Sequence, residues 1–241
     1  MDKIAYRFLE TQQFSHWWFR GRERVISAVM RQALSDEPGS KETLDIGSGY
    51  GALIPALNAF GAVDAMESHL PAHEALRTLG TRDIFGGSFP QECPDRRYDA
   101  VTLFDVIEHL DDDLGAMTAV RERMLKDGGH LFLTVPAYQW LWSPHDDHNE
   151  HRRRYARPGL RRLLASAGFS DIRISYFLTI LFPLAVIQRM AQKMTGQTSF
   201  NETPPHPIVN NLLLVLFSVE SLIVPRLTLP YGLSLIAHAR K

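Results

Sequence analysis

"LDIGSGYG", Leu44–Gly51, is the stretch whose reading decides the fold. A short apolar run ends in glycines at alternate positions, which is how a buried strand turns at once into a helix. Glycine there lets the backbone approach a ligand closely, and the following helix offers unpaired N–H groups. Gly47, Gly49 and Ala52 also satisfy the dinucleotide string G-x-G-x-x-A. Taken alone, the string fits a ligand turn and a plain tight turn alike.

The chain on either side narrows the choice. Downstream, "GAVDAME", "DIFGGSF", "YDAVTLFDVI" and "GHLFLTVP" read as further strands, with helical patterns between most of them. The clearest helix runs from Asp112 to Leu125, with acids at its start and "KDGG" at its stop. "RPGLRRLLASAGF" predicts another helix, "DIRISYF" a sixth strand and "YGLSLIAHARK" a seventh. Strands alternating with helices imply a mostly parallel sheet covered on both faces, with right-handed crossovers. Upstream, residues 1–40 read as a helical cover, with Val25, Ile26, Val29 and Met30 along one face. The core is expected over 41–176, an apolar helical insertion over 177–228 and the last strand over 229–241.

The bulk numbers set limits. The 241 residues suit one α/β domain with an insertion. Lys plus Arg is 26 and Asp plus Glu is 27, so the basic excess of a nucleic-acid binder is missing. A single cysteine, Cys93, excludes an internal disulfide framework and fits a reducing compartment. "MDKIAYRFLETQQF" lacks the basic-then-apolar pattern of a signal peptide, so the cytoplasm is the expected location.

Glu67 closes the second strand, where a carboxylate can accept both hydroxyls of a ribose. Asp64 is a nearby rival, but Glu67 lies closer to the carboxyl edge of the strand. At this point "LDIGSGYG", "VDAMES", "YDAVTLFDVIEHLDD" and "LKDGGHLFLTVP" together resemble the class I S-adenosylmethionine-dependent methyltransferases, in order and in spacing, over about residues 41–173. The resemblance implies a seven-stranded sheet whose last strand runs antiparallel, with S-adenosylmethionine as cofactor. It implies that Asp45, Gly47 and Gly49 face the methionine part, that Glu67 meets the ribose, and that Phe104 and Asp105 close the pocket. Ser88, in "GGSF", stands where the family often carries an acid near the adenine amine.

Methyl transfer from a sulfonium needs alignment above all, and an oxygen acceptor also gains from a nearby base. His109 follows the fourth strand and can serve as that base, or can cap or pack beneath the next helix. "HDDHNEHRRRY", His145–Tyr155, lies just past the fifth strand, on the edge where open α/β sheets bind ligands. His145 and Asp146 can orient an acceptor hydroxyl. Arg152, Arg153 and Arg154 can clamp a carboxylate or phosphate, or can simply end a solvated helix. His151 and Tyr155 would share one face of that helix. Histidines at every third position diverge around a helix, so no metal site is assigned. Tyr138, Trp140 and Trp142 lead into the stretch as a hydrophobic lid.

In "HWWFRGR", His16–Arg22, Trp18 and its neighbours either wall the substrate pocket or pack as an amphipathic helix, and Arg20 or Arg22 is placed to meet the cofactor carboxylate. "ISYFLTILFPLAVI" and "IVNNLLLVLFSVESLIV" are too short for a span of about 20 apolar residues. A helical hairpin offering one face to lipid, to a lipid-like substrate or to a second subunit fits them better. The expectation is methyl transfer to a small or lipid-linked acceptor, with oxygen favoured by the histidines. The alternatives are an amine acceptor or a cofactor-binding partner of membrane enzymes without catalysis.

Overall fold

The computed structural model describes residues 10–34, 39–195 and 205–241, and not the side chains of residues 192–195. The elements expected from the sequence form a seven-stranded sheet. Its strands are β1 (Lys41–Ile46), β2 (Gly61–Met66), β3 (Ile84–Phe85), β4 (Tyr98–Phe104), β5 (Leu125–Pro136), β6 (Ser170–Phe177) and β7 (Ser234–Arg240). Their spatial order is β3-β2-β1-β4-β5-β7-β6. Neighbours from β3 to β5 pair in parallel, and β7 runs antiparallel to both β5 and β6. The chain order reverses between β1 and β4, which opens a crevice at the carboxyl ends of those strands.

Side chains alternate across the sheet and divide its apolar residues between two cores. Leu131, Leu133 and Val135 of β5 face the core that also holds Met117 and Leu160. Phe132, between them, faces the other core, with Ile26, Phe177 and Phe217. Burial on both faces explains why these strands read as nearly continuous apolar runs.

The helices that matter for the site are α1 (Trp17–Ala33), α2 (Ile54–Leu57), α3 (His73–Thr78), α4 (Asp113–Ala119), α5 (Pro144–His148), α6 (Arg157–Ser166), α7 (Phe182–Thr195) and α8 (Pro207–Ile223). The helix expected over 112–125 starts as read, with Asp112 accepting from the Gly115 N–H at 2.8 Å. It then loosens into a π turn, Val120–Met124, and "KDGG" falls inside β5 rather than at the helix stop.

The largest departure concerns "HDDHNEHRRRY". Only Pro144–His148 is helical, and residues 151–154 have no regular structure, with Tyr155 bridging to Ala137. His151 and Tyr155 therefore do not share a helical face, and the arginines do not end a helix. A capping box closes the start of α5, from Ser143 and Asp146. Asp146 then draws His151 and Arg154 of the same stretch onto its carboxylate, and Arg153 and Tyr155 reach Asp113 on α4, which outweighs local helix propensity.

In the insertion, α8 packs along α1. Phe217 lies against Gly21, where any added Cβ would meet its ring. Asn210 Oδ1 accepts from the Trp17 N–H at 2.9 Å. Glu220, which interrupts the apolar run, is buried and accepts from the N–H groups of Leu178, Thr179 and Ile180 at 2.6, 2.7 and 3.0 Å. Those donors belong to a turn in which Leu178 takes a positive φ of 57°. Among the described residues, no helix is long and apolar enough to cross a membrane.

Candidate active site

The register of β1 and β4 pairs Asp45 with Thr102. The Thr102 hydroxyl donates to Asp45 Oδ1 at 2.6 Å. Burial raises the Asp45 carboxyl to about 6, against the opposing hydrogen bonds from Thr102 and Ser48. Gly47 follows with φ 73°, and a Cβ there would lie 2.6 Å from the Val106 side chain, so the turn needs glycine twice over. The Gly49 N–H donates to Glu67 Oε2 at 2.7 Å, and the His69 N–H donates to Oε1 at 2.7 Å. Each oxygen keeps a further lone pair for a ligand hydroxyl. Asp64, the rival, is fully buried among Arg82, Arg96 and Tyr98 and serves the fold.

Phe104 is buried at the end of β4, and Asp105 follows with a positive φ of 59°. Asp105 pairs with Arg22 at 2.7 Å, and the Thr134 hydroxyl accepts from Arg22 Nη2 at 2.9 Å and donates to Asp105 Oδ1 at 3.0 Å. The Arg22 guanidinium lies 5.1 Å from the Trp18 ring centre and 5.8 Å from that of Phe104. The "HWWFRGR" segment thus packs as a helix and also reaches the carboxyl edge of β4. Two buried polar atoms along this wall have no partner among the described residues, Gln13 Oε1 and Arg22 Nε. Gln13 Nε2 donates to the Tyr50 carbonyl, inside the glycine turn. An acceptor and a guanidinium N–H left without partners among the described residues could serve a ligand that carries both ammonium and carboxylate. Ser88 is exposed, and its N–H donates to Glu92 Oε2 at 2.8 Å.

The acceptor-side candidates gather in part. His109 closes a short turn, Ile107–His109, five residues past the end of β4. Its ring centre lies 4.9 Å from that of His151, and His151 lies 6.3 Å from His145. Burial lowers His109 to about 4, with His151 adding repulsion. Burial likewise lowers His145 to about 4, against the pull of Asp146. Both rings are therefore neutral at pH 7.

Asp146 is fully buried and fully engaged. It accepts from the Ser143 N–H, from His151 Nδ1 at 2.9 Å, and from Arg154 Nε and Nη2 at 2.7 and 2.9 Å. These hydrogen bonds outweigh its burial and hold its carboxyl well below the usual range. The sequence reading that paired it with His145 as a hydroxyl-orienting base is corrected on this point: Asp146 holds His151 instead. The three arginines are not one clamp. Arg154 is buried on Asp146, Arg153 reaches Asp113 at 3.1 Å and the Leu110 and Asp111 carbonyls, and Arg152 lies 3.4 Å from Asp111. Tyr155 is buried and donates to Asp113 Oδ2 at 2.7 Å, away from the crevice.

Tyr138 stacks on Tyr176 with ring centres 5.1 Å apart, beside Trp140 and Phe182. Trp142 instead donates to Asp147 Oδ1 at 2.9 Å. The insertion reaches this region as well: Arg189 of α7 donates to the Leu141 carbonyl. Sequence reasoning missed Thr102 and Thr134, whose roles depend on register. It also gave no role to Glu108, although it quoted "DVIEHL". Glu108 is fully buried, and neither carboxylate oxygen has a hydrogen-bond partner among the described residues.

A family model described as a methyltransferase domain matches residues 16–174. The chain belongs to the methyltransferase-domain family. Its sheet and crevice are those of a class I S-adenosylmethionine-dependent methyltransferase. A ubiquinone biosynthesis O-methyltransferase from Pseudomonas savastanoi pv. phaseolicola is 28% identical over 134 residues, covering 49% of this chain and 57% of the relative. The match thus spans a little over half the length of that curated relative. Among solved structures, an S-adenosylmethionine-dependent methyltransferase from Thermotoga maritima, described as a possible histamine N-methyltransferase, has a TM-score of 0.58 at 17% identity, covering 99% of this chain and 98% of that one. The Haemonchus contortus phosphoethanolamine N-methyltransferase 2, in complex with S-adenosyl-L-methionine, has a TM-score of 0.56 at 15% identity, covering 98% of this chain and 59% of that one. At these identities the structural neighbours speak for the methyltransferase fold alone.

Proposed function

We propose that this methyltransferase-family chain transfers a methyl group from S-adenosylmethionine to a hydroxyl of a small or lipid-linked acceptor. The observation that carries the cofactor half is the edge formed by Asp45, Gly49 and Glu67, backed by the unpaired Gln13 Oε1 and Arg22 Nε. Glu67 would hold the ribose hydroxyls. Gln13 and Arg22 would meet the ammonium and carboxylate of the methionine part, while Phe104, Asp105 and Trp18 wall that end. The cofactor, when bound, supplies a methyl group on a positively charged sulfur.

The acceptor half rests on His109 and His145. Each is a neutral imidazole at pH 7, able to take a hydroxyl proton as the oxygen attacks. Their low pKa makes them weak bases, so positioning of the acceptor carries more of the rate than proton transfer does. His109→Ala and His145→Ala are expected to lower turnover with cofactor affinity unchanged, measured as S-adenosylhomocysteine formed with a lipid extract and as calorimetric binding. Parent rates in both variants would remove the histidines from the reaction.

The lipid-linked part of the reading is supported by the outer faces of α7 and α8. Leu184 and Ile187 on one, and Leu212, Val215 and Leu222 on the other, are each about 58–67% exposed. Opposite faces of α8 bury Leu214 and Phe217. Such a helix lies on a bilayer surface or borders a lipid-like acceptor. Flotation with neutral and anionic liposomes tests it, and failure to float with either removes the membrane contact.

A further inference from the structure

We propose that Glu108, His109 and His151 form a binding site for one divalent transition-metal ion. Their ligand atoms all lie within 4.8 Å of one another. The three residues come from two segments far apart in sequence, the turn after β4 and the irregular segment after α5. Neither segment holds the set alone, and the helical spacing of His145, His148 and His151 plays no part in it.

The second, independent observation is Glu108 itself. Its side chain is fully buried, yet both carboxylate oxygens lack a hydrogen-bond partner among the described residues. Buried polar atoms are nearly always paired, and a buried carboxylate with nothing to accept from is costly. A cation between Glu108 and the two rings would satisfy it. The backbone of the same residue is tied down, since its carbonyl accepts from the Arg152 N–H at 2.7 Å. The carboxylate is therefore held where it is by the fold.

His151 is oriented as a metal ligand needs to be. Its Nδ1–H donates to Asp146 Oδ1 at 2.9 Å, which leaves Nε2 as the nitrogen for an ion. A carboxylate on the far nitrogen is the usual outer partner of a metal-bound histidine, because it fixes the tautomer and raises the basicity of the other nitrogen. Asp146 is fixed in turn by both Arg154 nitrogens and by Ser143. This chain of contacts explains why so many charged groups crowd into "HDDHNEHRRRY".

Two imidazoles and one carboxylate select zinc-like ions over magnesium or calcium, which prefer all-oxygen sets. Bonds of about 2.1 Å put the ligand atoms of a tetrahedral ion about 3.4 Å apart, so side-chain rotations that bring the atoms closer by up to about 1.4 Å close the set. Three protein ligands leave at least one position for water or an acceptor oxygen. The site stands on the geometry of these three residues and not on the O-methylation reading; with an ion bound, His109 is a ligand and His145 is the base of that reading.

The test uses full-length protein treated with chelator and then titrated with Co²⁺, followed by visible absorption, and with Zn²⁺, followed by calorimetry. The expected result is one ion per chain, with d–d bands of a nitrogen–oxygen ligand set. Glu108→Gln and His109→Ala are each expected to weaken binding at least tenfold. Asp146→Asn acts through His151 and is expected to weaken it about tenfold, with shifted cobalt bands. His148→Ala, on the exposed side of α5, is expected to bind as the parent does. Should Glu108→Gln fail to fold by circular dichroism, His109→Ala, whose ring is part exposed, decides the matter. Absence of saturable binding at 1 mM ion, or binding undiminished in both Glu108→Gln and His109→Ala, overturns the site.

Discussion

Two buried glutamates, Glu220 and Glu108, sit in the same protein with opposite surroundings. Glu220 lies in the insertion and accepts three backbone N–H groups from the turn after β6. Glu108 lies after β4, equally buried, and accepts none. Burial raises the pKa of both, and for Glu220 the three N–H groups offset part of that rise. A buried carboxylate that organises a turn belongs to the fold. One left without donors is expected where a ligand completes it. The contrast separates a structural flank, built by β6, α8 and α1, from a reactive edge at the ends of β1, β4 and β5.

The sharpest way to break this contrast is to truncate both acids. Glu220→Ala strands three N–H donors and is expected to cost about 3–5 kcal/mol of stability in urea unfolding. Glu108→Gln in metal-free protein removes a charge and no hydrogen bond, so stability is expected to stay within about 1 kcal/mol of the parent or to rise. A loss comparable to that of Glu220→Ala would show that Glu108 also holds the fold.

The next largest effect is on turnover. His145→Ala is expected to lower it by roughly 10²-fold, equal to about 3 kcal/mol of barrier, while the melting curve barely moves. A smaller effect, on the order of 2 kcal/mol, is expected at Asp45. Its folded pKa is raised to about 6, so the folded state binds more protons than the unfolded state between the ordinary carboxylate range and that value. Stability from this group is full at low pH and is lost as pH rises through about 6. Asp45→Asn is expected to flatten that decline in thermal melts from pH 4 to 8 and to weaken cofactor binding. An unchanged pH profile would contradict the assignment. Asp146 has the opposite sign, because its pKa is depressed and its stabilisation is lost only in strong acid. The smallest effect on stability, within about 0.5 kcal/mol, is expected from Leu212→Glu on the exposed face of α8, with liposome flotation as the readout that changes.

Every strand was legible from local pattern, because burial on both faces leaves apolar runs between turn residues. The glycine turn and Glu67 were legible too, since strand-end positions follow from strand boundaries. "HDDHNEHRRRY" was not. Its composition permits a charged helix, and only contacts with distant residues end that helix at His148. Arg153 and Tyr155 were drawn away to Asp113, a residue on another helix. No spacing in the chain announces that pairing.

The sequence by itself determined the order of the strands and the glycine turn after β1, because each depends on periodicity, glycine conformation or burial within a few residues. The tertiary structure alone decided which polar groups meet. Strand register set Thr102 on Asp45, helix packing brought Arg22 to Asp105, and the return of the chain after α5 placed His151 beside His109. Hydrogen bonds and charges act over a few ångströms, so their partners are fixed only once the apolar layers have packed.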